Sequence, residues 1–135
     1  VAMEEASRMG AGCLFIDQDI DVTKQRLINL FISSDSLWQS YERFLEAYNE
    51  MKEADFSRSY IQERDSLEKD LSPETFRVIT EDRDKHMFTE LRRLEGKIVA
   101  VVGMGHMDGI ESLWKRAENG DDWHPPANQK CWLAL

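Results

Sequence analysis

The sequence is short of the residues that staple or punctuate a chain. Only two cysteines occur in 135 residues, Cys13 and Cys131. They give no CxxC spacing, which excludes a zinc ribbon or a dithiol redox motif, and their scarcity fits a reducing compartment. Thiols of this kind usually behave as small apolar core residues, so both are expected to be buried. Cationic side chains are also scarce: 17 Lys and Arg face 26 Asp and Glu, a net charge of −9. A surface of that sign repels phosphate backbones and anionic lipid, so nucleic acid is not an expected partner. Long apolar runs are missing too. The densest block, IVAVV at 98–102, falls far short of the ~20 residues of a membrane span, and the opening VAMEEASRMG lacks the basic flank and apolar core of a signal peptide.

What remains is enough for one domain over residues 1–135, since a chain of this size hides roughly two-thirds of its extended surface without staples. The start falls in mid-pattern: AMEEASRM reads as the end of a helix closed by Gly10, which suggests a portion of something longer. GAGCLFID, Gly10 to Asp17, packs Cys13, Leu14, Phe15 and Ile16 with no polar break, as a strand buried on both faces would. Asp17, Asp19 and Asp21 crowd its end, where acids favour a helix start. Thr23 or Asp21 is the expected N-cap, and Val22, Leu27, Leu30 and Phe31 the buried stripe.

Three further helices follow. Leu37, Tyr41, Phe44, Tyr48 and Met51 recur at helical steps after a cap at Ser34 or Asp35, and such an aromatic stripe is core before it is a cofactor slot. SYIQERDSLEKDL is more polar and reads as a surface helix whose charges form a solvated face. LSPETF restarts the chain with Ser72 as N-cap and Pro73 at the first helical position. Phe76, Ile79, Arg83, Met87, Leu91 and Leu94 then step along one face. Arg83 is the odd member, and an inward Arg must be paired or it costs several kcal/mol. KIVAVVG, Lys97 to Gly103, is apolar and β-branched and reads as a second strand, parallel to the first because helices separate them. The expected architecture is α/β: helix-rich, four to five helices around a partial parallel sheet with strands near 11–17 and 97–103. Residues 118–135, with Asn-Gly and Pro-Pro, read as an irregular tail.

The turn VVGMGHMDGI supports three readings. Gly103, Gly105 and Gly109 approach a dinucleotide fingerprint, but no acid-ended second strand follows and Asp108 would repel a pyrophosphate. Alternatively His106, at the carboxyl end of a buried strand, opens onto a crevice where it ligates a metal or moves protons, with Gly103 and Gly105 letting the backbone turn around it. Or His106 simply satisfies a backbone carbonyl. Arg83, flanked by two carboxylates, is either a clamp for an anionic group or a tie to the Asp17 or Asp19 strand end. His86 and His124 look incidental.

VVGMGHMDGIESLW resembles the second of two glycine-x-x-histidine motifs of the TraB family, which includes the pheromone-shutdown proteins, Tiki proteases and GumN. FIDQDIDVTKQR is similar to that family's strand-end pattern at Asp17, Asp19, Thr23 and Arg26, with Gln18 where a basic residue is usual. DRDKHM resembles its Glu-Arg-Asp helix, with Asp82 in place of Glu. The first glycine-x-x-histidine motif has no counterpart in these residues. The resemblance implies the C-terminal portion of a metal-dependent peptide hydrolase, or an inactive relative. By carry-over, His106 is a metal ligand and catalytic residue with Arg83 and Asp82. Asp17, Asp19, Arg26, Gly103 and Gly105 become substrate or pocket residues.

The implied cofactor is a divalent manganese, cobalt or zinc ion in the complete domain. Tight binding to this chain alone is not expected, since catalytic sites of this type need about three protein ligands. Implied partners are peptides or proteins, a homo-oligomer is compatible, and the implied location is the cytoplasm or the cytosolic face of an organelle membrane. The competing expectation is a non-enzymatic adaptor at such a surface, with helices within 34–71 as its partner face.

Overall fold

The computed structural model describes residues 2–51 and 57–120. Its elements are helical throughout: α1 (Ala2–Arg8), α2 (Ile20–Ser33), α3 (Asp35–Glu50), α4 (Arg58–Leu71), α5 (Pro73–Phe76), a π-helical turn (Arg77–Glu81), α6 (Asp82–Arg92) and α7 (Met104–Glu118). Among the described residues there is no β-strand, which corrects the α/β expectation of a partial parallel sheet. Segments 11–17 and 97–103 are neither helix nor strand, and no backbone hydrogen bond joins one to the other. The expectation of strands sandwiched on both faces fails on exposure, since Phe15 is 83% exposed, Val99 90% and Val101 74%. An apolar β-branched run specifies extended backbone, but a strand also needs a neighbour to take its N–H and C=O groups.

The helices start and stop for local reasons. α1 closes on Gly10 at φ 68°, with Ala11 N–H donating to the Ala6 carbonyl and Gly10 N–H to that of Ser7, the paired bonds of a left-handed glycine stop. α2 is capped by Asp19, whose carboxylate accepts from the Asp21 N–H at 2.8 Å. Neither Thr23 nor Asp21 does this: Thr23 is buried, accepting from Gln18 Nε2 at 2.9 Å, and Val22 faces solvent. α5 begins with Ser72 and Pro73 as the sequence indicates, and the fully buried Ser72 hydroxyl donates to Thr75 Oγ1 at 2.9 Å.

α2 and α3 form a hairpin whose Phe31, Tyr41, Phe44 and Tyr48 rings follow one another at centroid distances of 5.5 to 5.9 Å. The stripe is packing, as its helical period implies. The central rod runs unbroken from Pro73 to Arg92 through the π-turn and touches α2, α4 and α7. Its Phe76, Val78, Met87, Phe88 and Leu91 supply most of the buried core, joined by Phe44 and Tyr60. α4 is less superficial than its charges suggest, because Tyr60 and Glu68 are buried and Arg64 and Asp65 partly so. Burial pushes the Glu68 carboxyl above the ordinary range. Cys13 is exposed, against the expectation of a core thiol. Cys131, His124 and most of the 118–135 tail lie outside the described residues, although α7 accounts for its start and Gly120 turns at φ 80°.

Candidate functional site

α7 begins at Met104, and its first turns carry the residues the glycine motif singled out. Gly103 is the N-cap at φ −62° and ψ 145°, ordinary extended backbone, and accepts the His106 N–H at 2.9 Å. Neither Gly103 nor Gly105 has a positive φ, so the tight glycine bend expected around His106 is not what these residues provide. Gly105 and Gly109 lie one turn apart on the same face of α7, and each makes room for a side chain from another helix. A Cβ at Gly109 would stand 2.7 Å from Asp84 Cγ and closer still to its Oδ2. One at Gly105 would stand 2.9 Å from Arg64 Nη2. The spacing that approaches a phosphate loop therefore serves helix packing here.

Asp84, on α6, is buried and accepts from His106 Nδ1 at 2.6 Å. Burial raises its carboxyl above the ordinary range and the nearby Asp65 adds to this, while His106 and Arg83 pull the other way. The imidazole is itself largely buried, its side chain 14% exposed. With Nδ1–H given to the carboxylate, Nε2 is the nitrogen left to accept or release a proton. A histidine fixed through one nitrogen by a carboxylate is how proteins set the tautomer of a proton-transfer or metal-binding imidazole.

Arg83 sits one residue before Asp84 and turns the other way. Its Nε donates to Asp17 Oδ1 at 3.1 Å and its Nη2 to Asp17 Oδ2 at 2.6 Å. Its Nη1 donates to the Ile79 carbonyl at 3.1 Å, inside the π-turn. The bidentate pair holds Asp17 below the usual carboxylate range, chiefly through the Arg83 hydrogen bond, with a smaller contribution from His106. The same pair raises Arg83. Arg83 is thus tied to Asp17, in a segment that forms no strand.

Asp82 is elsewhere, bonded to Arg26 at 2.9 Å and 3.6 Å from Lys85, a link between α2 and α6. Asp19 is spent on capping α2. Thus Arg83 and Asp17 pair with each other, with Asp17 near enough to His106 to feel its charge, while Asp82 pairs with Arg26 and Asp19 caps α2. Asp84 and Arg64 were not singled out by the sequence, and Gly109 only as part of a dinucleotide fingerprint. Asp84 was legible in principle, since it precedes the fully buried Phe88 by four residues and so shares its face. Asp108, the objection to a pyrophosphate, accepts from Arg58 Nε at 2.7 Å and from Gln62 and clamps α4 to α7.

Among the described residues, no group of three or more His, Cys, Asp or Glu side chains could hold a metal ion, and no helix is long and apolar enough to cross a membrane.

The sequence pattern of the TraB/PrgY/gumN family matches residues 7–121. An uncharacterized protein of Methanocaldococcus jannaschii is 30% identical over 128 residues, which is 90% of this chain and 32% of that protein. The chain thus spans about a third of the length of the curated relative it matches. No solved structure matches it.

Proposed function

Because the chain belongs to the TraB/PrgY/gumN family, we propose that it carries one half of a hydrolytic site acting on peptides, in which His106 is the reacting group and Asp84 orients it. The observation behind this reading is the 2.6 Å bond from His106 Nδ1 to a buried carboxylate seated over Gly109. That bond commits one imidazole nitrogen to the protein and leaves Nε2 for the chemistry. Arg83 holds segment 11–19 through Asp17, and the His106 charge acts on that carboxylate. A divalent metal fits only in part. His106 supplies a donor of the right kind, but the described residues contain no set of three and a catalytic metal needs about that number. No step is therefore assigned to a metal here. Manganese, cobalt or zinc would require donors from outside this group.

The test has two arms. Titrated with manganese, cobalt or zinc, the 135-residue chain should bind none more tightly than roughly micromolar, one imidazole being too few. Combined with a polypeptide bearing the family's first glycine-x-x-histidine motif, it should gain peptide hydrolysis. That activity should fall on the order of a hundredfold or more in His106→Ala and roughly 10- to 100-fold in Asp84→Asn. Sub-micromolar stoichiometric binding by the chain alone would show a complete site here, and hydrolysis indifferent to His106→Ala would remove the reading.

A second reading, a non-enzymatic interaction module, is favoured by one feature. Ile28, Ile32 and Trp38 on α2 and α3 are 51%, 80% and 51% exposed, more apolar surface than a helix hairpin needs to show. Under it, substitutions at these three residues would abolish partner binding while His106→Ala would not.

A further inference from the structure

Arg83 and Arg64 hold their guanidinium groups in different ways. Arg83 is engaged at all three nitrogens: Nε and Nη2 bond Asp17, and Nη1 bonds the Ile79 carbonyl. Its bidentate fork is already taken by the Asp17 carboxylate. Arg64 is differently placed. Its Nη2 lies in the space a side chain at Gly105 would fill, against the residue that precedes His106. Its partner there is Asp65, reached through Nε at 2.9 Å and through Nη2. Adjacent residues of a helix point about 100° apart and do not face one another. The Arg64 charge also acts on the buried Glu68, one turn along α4, without a hydrogen bond to it. Both bonds go to one oxygen, Asp65 Oδ1, so the planar fork is not used bidentately, and Nη1 takes no part. Arg64 is neither buried nor free-standing, its side chain 29% exposed, which leaves the fork reachable from solvent.

We propose that Arg64 is the specificity-determining residue of the His106 site and that it receives a carboxylate of the substrate, the role that family resemblance would give to Arg83. The inference rests on the reading of His106 as the reacting group, and it adds a substrate class: acyl compounds or peptides bearing a carboxylate near the bond to be cleaved. A planar anion would take the two parallel N–H bonds that Asp65 Oδ1 cannot. Gly105 is then required because it gives the guanidinium its seat beside His106, and not for any backbone turn.

The experiment uses acetate as the probe, added to the metal-free 135-residue chain and followed by NMR at the Gly105 and His106 amides. Wild type should show saturable shifts at both. Arg64→Gln should weaken acetate binding at least about tenfold. Gly105→Ala, whose new methyl group presses on the movable end of Arg64 and lies at an ordinary 3.9 Å from Ile61 Cγ2, should weaken it comparably while helix content by circular dichroism stays unchanged. Asp17→Asn, which frees Arg83 from its carboxylate, should leave binding at Gly105 intact. Absence of saturable shifts in wild type, or equal affinity in Arg64→Gln, overturns the proposal. Because acetate binding needs neither metal nor turnover, its failure is separable from that of the hydrolytic reading. If acetate binds through Arg64 and the assembled protein cleaves no peptide, only the latter falls.

Discussion

At the scale of single residues, the pairing of His106 with Asp84 depends on an atom that is missing. A carboxylate can rest against α7 only because position 109 has no Cβ, and the nearest heavy atoms to a methyl group there all belong to Asp84. Gly109→Ala should therefore expel Asp84 from its seat, at a cost of about 1–3 kcal/mol for overpacking a site with no slack. Chemical denaturation measures the cost, and loss of the His106 to Asp84 hydrogen bond should accompany it. An unchanged midpoint would mean that the carboxylate has another place to go. The sequence singled out His106 and Asp82, and the acid bonded to that imidazole is Asp84. Asp82 stands where the family has Glu, whereas Asp84 sits on the buried side of the same helix, and only the three-dimensional path of α7 tells which one the imidazole meets.

At the scale of elements, the π-turn and the segment 11–19 that precedes α2 work together. One residue more than an α-helix in Arg77–Glu81 rotates everything after it by about 100°. The Ile79 carbonyl is bonded to Arg83 Nη1, and Arg83 in turn grips Asp17. Because the folded value of Asp17 is depressed below 3.8, the stability it contributes is present above that value and lost as pH falls through the lower folded one. Asp17→Asn should thus lower thermal stability at pH 7 by at most about 1 kcal/mol, the pair being half exposed. The gap from wild type should close as acid protonates Asp17. A gap that persists in acid would assign the effect to something other than this ion pair. Helices were legible from the sequence because caps, period and glycine stops act over a few residues. The two supposed strands were not, because extended backbone is local while its pairing is not: Phe15, Val99 and Val101 carry every local mark of a buried strand and are among the most exposed apolar residues.

At the scale of the whole molecule, α4, α6 and α7 meet around one imidazole. α4 is tied to α7 through Arg58, Asp108 and Glu111, and α6 packs on α7 through Phe88 and Trp114, whose rings cross at 5.6 Å. Asp84 and Arg64 reach their places from two of these helices, so the site exists only when all three are docked. The central claim is that this docking fixes His106 in a single tautomer, with the proton on Nδ1 and Nε2 open for chemistry. Nitrogen-15 NMR of the histidine side chains tests it most directly. At a pH where His106 is neutral, the account predicts a protonated Nδ1 in wild type and a shift toward Nε2–H in Asp84→Asn. A wild-type spectrum dominated by Nε2–H, unaltered by Asp84→Asn, would contradict it.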